Sequence, residues 1–505
     1  MARGIGGLVS VEAIVVSSFT GIRRPGLTGR VTSRRQLNEP RELVNFHHTR
    51  EGHLYMPSAA ELVWDFSAHG DIRTVTYVEN PGGLVVQTTS GRIYHVAIKP
   101  PSSTRFPDPM QVTLIATMGA GEEDNPLWVN GIDGATLMGY APRGSSGPDG
   151  DGRTWKLAGT WDAPSVTNIS ATVGPTASAS MLYKGRRFWV KRGRQVYFSE
   201  LNDFETARPA DNTFAIAGDD SGSSYLTNPG YVRGMSSWED VLVFFLGGSV
   251  WTLTGSSPEN YSLRQVQTIV GNLAQESLVR IDDGVMSLGG NNLNTRGVYL
   301  FTGSRSVNLS DNIGDYMGSL GLVWSATFSG GKYIMSTGRS DPNDRQFLVY
   351  DVDTQEWSVF DGFTLGVAHT QADHIITTGG GKLYRNATVM LPRAPGRGAK
   401  LRIGFQDDEN PAGLVRFLAV KFAGARFGVG APTVKITAST DKGVVVSEST
   451  PIPADVFDNF VVPVNARGSA IELLIEIENT SASTEVLIEN LQVITSRKGE
   501  KVSRS

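Results

Sequence analysis

Two clusters of cationic residues are the part of this sequence best suited to chemistry. The first carries Arg23, Arg24, Arg30, Arg34, Arg35 and Arg41, with no acid between Arg23 and Gln36. The second runs from Lys184 to Arg194 and holds Lys184, Arg186, Arg187, Lys191, Arg192 and Arg194. Six of its eleven residues are cations, interleaved with Phe188 and Trp189. Guanidinium forks pair bidentately with phosphate oxygens and with carboxylates. The pattern therefore suits a nucleic-acid backbone or an acidic protein surface. A solvated hairpin face or a subunit interface is the commoner meaning of the second cluster.

Other chemistries fail on residue type or spacing. The chain has no cysteine, which excludes disulfides, thiolate nucleophiles and thiolate metal sites. His47, His48, His53 and His69 gather near Glu51, yet they lack the i, i+4 helical spacing of a zinc-protease pair. Gly379 to Leu383 (GGGKL) lacks the Ser or Thr of a phosphate loop, and no G-x-S-x-G elbow exists. Sialidase-type turns, S-x-D-x-G-x-T-W, are approached twice. Gly152, Thr154 and Trp155 match in P-D-G-D-G-R-T-W, with Pro148 and Gly150 out of place. Ser439, Asp441 and Gly443 match the first half of a second turn, and Val445 and Val446 break the rest. Carboxylates cluster at Glu122-Glu123-Asp124, at Asp219-Asp220 and at Asp351-x-Asp353. The last has Gln355 and Glu356 where a calcium loop needs an oxygen ligand and a glycine. These read as solvated turns. No cofactor or metal is expected, and no catalysis.

The elements that must position the cationic clusters are strands. In 505 residues there are 58 glycines and 24 prolines, and the net charge is −4. Such a balance is not that of a globally basic nucleic-acid binder. No stretch reaches the roughly 18 apolar residues of a membrane helix. Glu12 interrupts the apolar N-terminus, so no cleaved signal is expected. Helical spacing is confined to Ala59–Phe66 and Asn312–Leu320. Elsewhere, short β-branched runs end in glycine, Asn-Gly, Asp-Gly or proline.

One unit recurs: an apolar strand, a glycine-bearing turn, and a strand with an aromatic. It reads as GLVVQTTSGRIYHV, RFWVKRGRQVYFS, DVLVFFLGGSVWTLTG, DGVMSLGGNNLNTRGVYLFTG, KYIMSTGRSDPNDRQFLVYDV and HIITTGGGKLYRN, with LWVNGIDGATLMGY as a weaker copy. The aromatics are Tyr94, Tyr140, Tyr197, Trp251, Tyr299, Tyr350 and Tyr384, about 48 residues apart on average. That is the period of a four-stranded propeller blade. A flat side chain fills the gap between packed blades, so W251A should cost roughly 3–5 kcal/mol if the indole is fully buried. The segment YDVDTQEW (Tyr350 to Trp357) is similar to one strand-turn of a kelch blade. The fold expected is all-β. Residues 1–40 form an extended arm, 41–390 a β-propeller of six or seven blades, and 400–505 a β-sandwich. The sandwich follows the linker MLPRAPGRGAK and shows an in–out alternation (AIELLIEIEN, TEVLIENLQVIT).

Several stretches resemble tail nozzle proteins of short-tailed bacteriophages, also called packaged-DNA stabilisation or tail accessory factors. They are VYFSELNDFETA (Val196 to Ala207), the S-V-W-T-L-T-G ending at Gly255, G-N-L-A-Q-E-S (Gly271 to Ser277), GVYLFTG (Gly297 to Gly303) and the LSDNIGDY run. Upstream, EPRELVNFHHTREGHLYM (Glu39 to Met56) is similar to the segment that opens that family's first blade, and Arg24-Pro25-Gly26 to its early RPG. Met56-Pro57-Ser58 departs from the family's opening.

The resemblance implies a non-enzymatic virion protein. It would be a ring-forming subunit, typically one of six, beneath the portal and adaptor. It would extend the DNA channel, retain the packaged genome and take part in ejection. The implied partners are further copies of the chain, the adaptor, other tail proteins and double-stranded DNA in transit, with assembly in the bacterial cytoplasm. Competing readings are a monomeric propeller binding a protein or glycan, and a sialidase-like propeller glycosidase.

Overall fold

A computed structural model describes residues 9–16, 42–99, 106–140 (without 126 and 133), 153–170, 179–190, 194–204, 212–216, 232–267, 270–290, 296–320 (without 319), 323–338, 345–362, 367–369, 375–385, 391–406 and 415–498 (without 469 and 479). Two compact units are built from interleaved segments. One comprises 61–347 and 363–390, the other 1–60, 348–362 and 391–505.

The first unit is a β-propeller whose sheets follow one another in sequence. Blade 1 is Ile72–Val78, Gly83–Thr88, Arg92–Ala97 and Val112–Thr117. Blade 2 is Trp128–Ile132, Ala135–Gly139, Thr154–Thr160 and Ala163–Asn168, and blade 3 is Ala179–Tyr183, Arg186–Val190, Gln195–Phe198 and Thr213–Ala215. Blade 4 is Val232–Trp238, Val241–Leu246, Val250–Thr254 and Ser262–Gln267. Blade 5 is Val279–Ile281, Gly284–Gly289, Gly297–Phe301 and Ser306–Asn308. Blade 6 opens with Val323–Ser329 and Lys332–Gly338, and its chain runs on through Arg345–Asp351. Blade 7 is Val367–His369, Ile375–Gly379 and Lys382–Arg385, completed by Glu61–Asp65 from the start of the unit.

Among the described residues, seven blades make the ring. From blade 2 round to blade 7 and on to blade 1, the innermost strands lie side by side, and the outermost strands of blades 1 and 2 meet. The core sits between blades. Phe188, Val190 and Phe198 of blade 3 pack on Met235, Leu242 and Phe244 of blade 4. Val243 and Phe245 pack on Val285 and Phe301 of blade 5. Burying a side chain of this size fully contributes about 1.5–3 kcal/mol, so stability is spread round the ring.

The repeat aromatics fall largely where the spacing placed them. Tyr94, Tyr197, Trp251, Tyr299 and Tyr384 lie on third strands, and Tyr350 lies on the strand after the blade 6 hairpin. Tyr140 is the exception. LWVNGIDGATLMGY forms the first and second strands of blade 2, and Trp155 holds the third-strand place. Trp251 is half-buried, so W251A should cost about 2 kcal/mol, below the full-burial figure. Asn312–Leu320 is helical as the short helix Gly314–Gly318. Ala59–Phe66 holds a strand, Glu61–Asp65, instead of a helix. Its apolar spacing fits both periods, and the open edge of Lys382–Arg385 decides between them.

The second unit is a β-sandwich. One sheet runs His47–His48, Leu54–Met56, Glu485–Lys498, Val415–Phe427, Asp455–Gly468. The other runs Glu356–Asp361, Glu42–Val44, Ala399–Gln406, Ala470–Glu478, Thr433–Thr440, Gly443–Val446. Ile471, Leu473, Ile475 and Ile477 point inward from one sheet, and Val486, Ile488, Leu491 and Val493 from the other. The expected boundaries shift, and residues 348–362, expected in the propeller, fall in the sandwich unit. Residues 42–60 belong to the sandwich unit and not to the propeller, because Glu42–Val44 is sandwiched between Ala399–Gln406 and Glu356–Asp361. Within the expected arm, Val9–Val16 is a strand antiparallel to Leu491–Lys498, which would otherwise leave its backbone groups unpaired.

Candidate functional site

The cationic hairpin lies in blade 3. Lys184 and Gly185 both take positive φ (46° and 73°), the two-residue turn whose twist matches its strands. The strand after the turn alternates, and that alternation separates neighbouring cations. Lys184 stays at the surface, 3.7 Å from Asp240 Oδ1 and over the Tyr183 ring. Arg186 turns back onto its own blade, where Nη1 donates to the Ser199 carbonyl at 2.8 Å and lies 3.6 Å from Glu200 Oε2. Arg187 points the other way, into the interface with blade 2, and is 1% exposed. A phosphate-binding face formed by these three side chains together is therefore corrected. Arg186 is a brace within the blade, and Arg187 is an interior group. Arg194 is half-buried, and its carbonyl accepts from Ile216 N at 3.0 Å. Lys191 and Arg192 lie outside the described residues, as do Arg23, Arg24, Arg30, Arg34, Arg35 and Arg41.

Arg187 is the unusual group. Its guanidinium lies against two indoles, 5.0 Å from the Trp128 ring and 4.9 Å from the Trp189 ring. Nε donates to Ser180 Oγ at 3.0 Å, while Nη1 and Nη2 have no hydrogen-bond partner. Burial pushes its pKa down to about 10, still far above neutral, so the group stays charged. Each indole face returns about 0.5–2 kcal/mol, and each unpaired buried donor costs about 1–3 kcal/mol.

Two other buried arginines show how this fold normally satisfies a guanidinium. Arg73 in blade 1 donates to Asp124 Oδ1 at 3.0 Å and to the carbonyls of Glu123 and Asp124. Arg393, in the sandwich unit, donates to Pro57 O, Arg397 O, Thr480 Oγ1, Ser481 O and Thr484 O. Nothing in the linker sequence around Arg393 announced such a hub.

The stretch Gly271–Ser277 is a bolt across three blades. A Cβ at Gly271 would lie 1.7 Å from the Leu246 carbonyl, so only glycine allows that approach. Asn272 N then donates to Leu246 O of blade 4 at 2.9 Å, and Leu273 N to Leu288 O of blade 5. Gln275 grips blade 4, with Oε1 accepting from Met235 N at 2.7 Å. Ser277 Oγ accepts from Leu288 N at 2.9 Å, and the Ser277 carbonyl accepts from Tyr333 Oη of blade 6 at 2.8 Å.

Tyr140 donates to Glu122 Oε2 and accepts from Gly119 N, the residue types of a sialidase nucleophile and its base. Burial and the Glu122 carboxylate hold its hydroxyl up to about 12, the opposite of activation. The Ser439–Gly443 turn belongs to the sandwich, and residues 148–152 lie outside the described residues. The histidines do not converge. His47 bonds Leu391 O at 2.7 Å, whereas His69 meets Arg92 and stacks on Tyr94. Asp351 Oδ1 caps its own turn by accepting from Asp353 N and Thr354 N. Among the described residues no three His, Asp or Glu are placed to hold a metal ion.

No family model matches the chain, and no curated protein does. Solved structures similar to it include the Neurospora crassa Pan2 WD40 domain, at 12% identity and TM-score 0.41, over 67% of this chain and 96% of that one. A streptogramin B lyase follows at 9% identity and TM-score 0.40, over 66% and 97%. An exo-β-1,3-galactanase from Phanerochaete chrysosporium has 10% identity and TM-score 0.25, over 75% and 96%. The fold itself is that of a β-propeller joined to a β-sandwich.

Proposed function

We propose that this chain is a non-enzymatic structural subunit of a bacteriophage tail nozzle. Copies would form a ring beneath the portal and adaptor, extend the DNA channel and hold the genome until ejection. The observation that carries the reading is where the resembling residues fall. G-N-L-A-Q-E-S is the bolt that ties blades 4, 5 and 6, and GVYLFTG and S-V-W-T-L-T-G are third strands of blades 5 and 4. The residues on which the resemblance rests are thus ones that tie blades together, which supports the reading. Stiffness is what a wedge in a pressurised ring requires.

The deciding experiment is imaging of native particles with antibody raised against the propeller. Label at the distal end of a short tail supports the nozzle. Absence of the chain from purified virions overturns it. Light scattering of the purified chain alone and mixed with its adaptor reads the ring directly. Turnover of a sialoside or other glycan, abolished by substitution at Glu122, would replace this reading with the glycosidase.

A further inference from the structure

We propose that the interface between blades 2 and 3 holds a small oxyanion against Arg187, a site independent of the nozzle reading. The interface concentrates donors, and beyond Ser180 Oγ the described residues offer them no acceptor. Arg187 and Trp189 face it from the second strand of blade 3, where they pair across to Leu182 and Ser180. Trp128 and Leu137 face it from blade 2, and Asn130 stands opposite Leu137 on that same side of the sheet. Four buried nitrogens have no hydrogen-bond partner: Arg187 Nη1 and Nη2, Trp189 Nε1 and Asn130 Nδ2.

All four are N–H donors, which selects the ligand class. An arginine keeps its proton at any ordinary pH, so neutralisation by deprotonation is closed to it. Both indole rings lie within 5.0 Å of the guanidinium carbon, and the two Nη nitrogens remain without a partner. Their shared edge matches two oxygens of one tetrahedral or carboxylate anion. A cation would meet donors alone, and an apolar ligand would leave them unpaired. Arg73 and Arg393 supply the internal contrast, since both are as buried and both find oxygens on every side used.

The test uses the full chain in chloride buffer, titrated with inorganic phosphate and separately with acetate at matched ionic strength. Thermal unfolding of the propeller is expected to rise by about 5 °C at a hundredfold excess over Kd in one of the two series. Tryptophan emission should change with the same midpoint, because both indoles touch the guanidinium. R187M, which keeps the volume, should show neither response. An equal rise in wild type and R187M is general salt stabilisation and overturns the site. No rise in either anion means that water fills the edge, which also overturns it. If R187M does not fold, crystals of the unmodified chain soaked in selenate decide the matter. An anomalous peak within hydrogen-bond distance of Arg187 Nη1 or Nη2 supports the site, and none there overturns it.

Discussion

Arg385 and Glu61 stand 324 positions apart in the chain and 2.9 Å apart in the seventh blade. The pair marks the seam of the propeller, where a strand from the start of the unit completes the last sheet. Both side chains are partly solvated, at 31% and 64% exposure, so the ion pair itself contributes little. Closure rests on the backbone ladder and on Val63, which packs into the core between blades 7 and 1. E61A should therefore shift unfolding by less than about 1 kcal/mol. V63D should cost about 2–3 kcal/mol and speed proteolysis in Lys382–Arg385. Denaturant titration with timed proteolysis separates the two, and equal effects would place the closure in the ion pair.

The bolt gives a graded series. Y333F removes one donor from the Ser277 carbonyl and should cost about 1 kcal/mol. S277A strips the acceptor from Leu288 N and the donor to Ala274 O, inside fully buried surroundings, and should cost about 2–3 kcal/mol. G271A meets the Leu246 carbonyl head-on and should cost more than either. Unfolding free energies in that order test the bolt, and a G271A protein as stable as wild type would remove it.

The blades were legible because their signal repeats. Seven hairpins with an aromatic partner survive one misplaced copy, as Tyr140 and Trp155 show. The seam was not legible, since Glu61–Asp65 meets Lys382–Arg385 across more than 300 residues and its own pattern suits a helix equally. The cationic hairpin was found as composition and misread as a surface. Strand alternation sends Arg186 and Arg187 to opposite faces, and a neighbouring blade covers the second. Arg393 and Asn130 carry no local signal at all, because their roles depend on carbonyls and indoles from distant segments.

Arg393 should be the most sensitive single position of the sandwich unit. Burial pushes its pKa down to about 10, and five oxygens from three segments surround it. R393M leaves those oxygens without their donors and should cost at least about 3 kcal/mol. R187M has no such set to abandon and should change stability by less than about 1.5 kcal/mol in chloride buffer. Urea midpoints of the two variants at one pH measure the contrast, and equal losses would erase it.

The arginine-rich segment tests the nozzle reading from another side. An acidic neighbouring subunit is favoured over DNA as its partner, because arginine–phosphate contacts multiplied round a ring would hinder sliding. Neutralising Arg23, Arg24, Arg34 and Arg35 together should abolish attachment of the protein to tails. Tails of normal composition that leak genome would point to the channel instead.

Acid should loosen blade 1 before the carboxylates titrate, through His95. The ring is 1% exposed, no side chain pairs with either nitrogen, and burial lowers its pKa from 6.5 to about 4 against the smaller opposing pull of the Gly82 backbone. The folded state therefore binds its proton later than the unfolded chain. Stability is complete above about pH 6.5, falls as pH drops towards 4, and levels off below that. A shift of this size corresponds to about 3 kcal/mol over the window. H95L keeps the site apolar and removes the titration, so its stability should stay flatter than wild type between pH 6.5 and 4. Gly83 sets the packing limit, since a Cβ there would lie 2.5 Å from His95 Nε2 and displace the ring. G83A should thus be destabilised at every pH, whereas H95L should gain on wild type only as the solution is acidified. Parallel curves for wild type and H95L would show that the acid response comes from elsewhere.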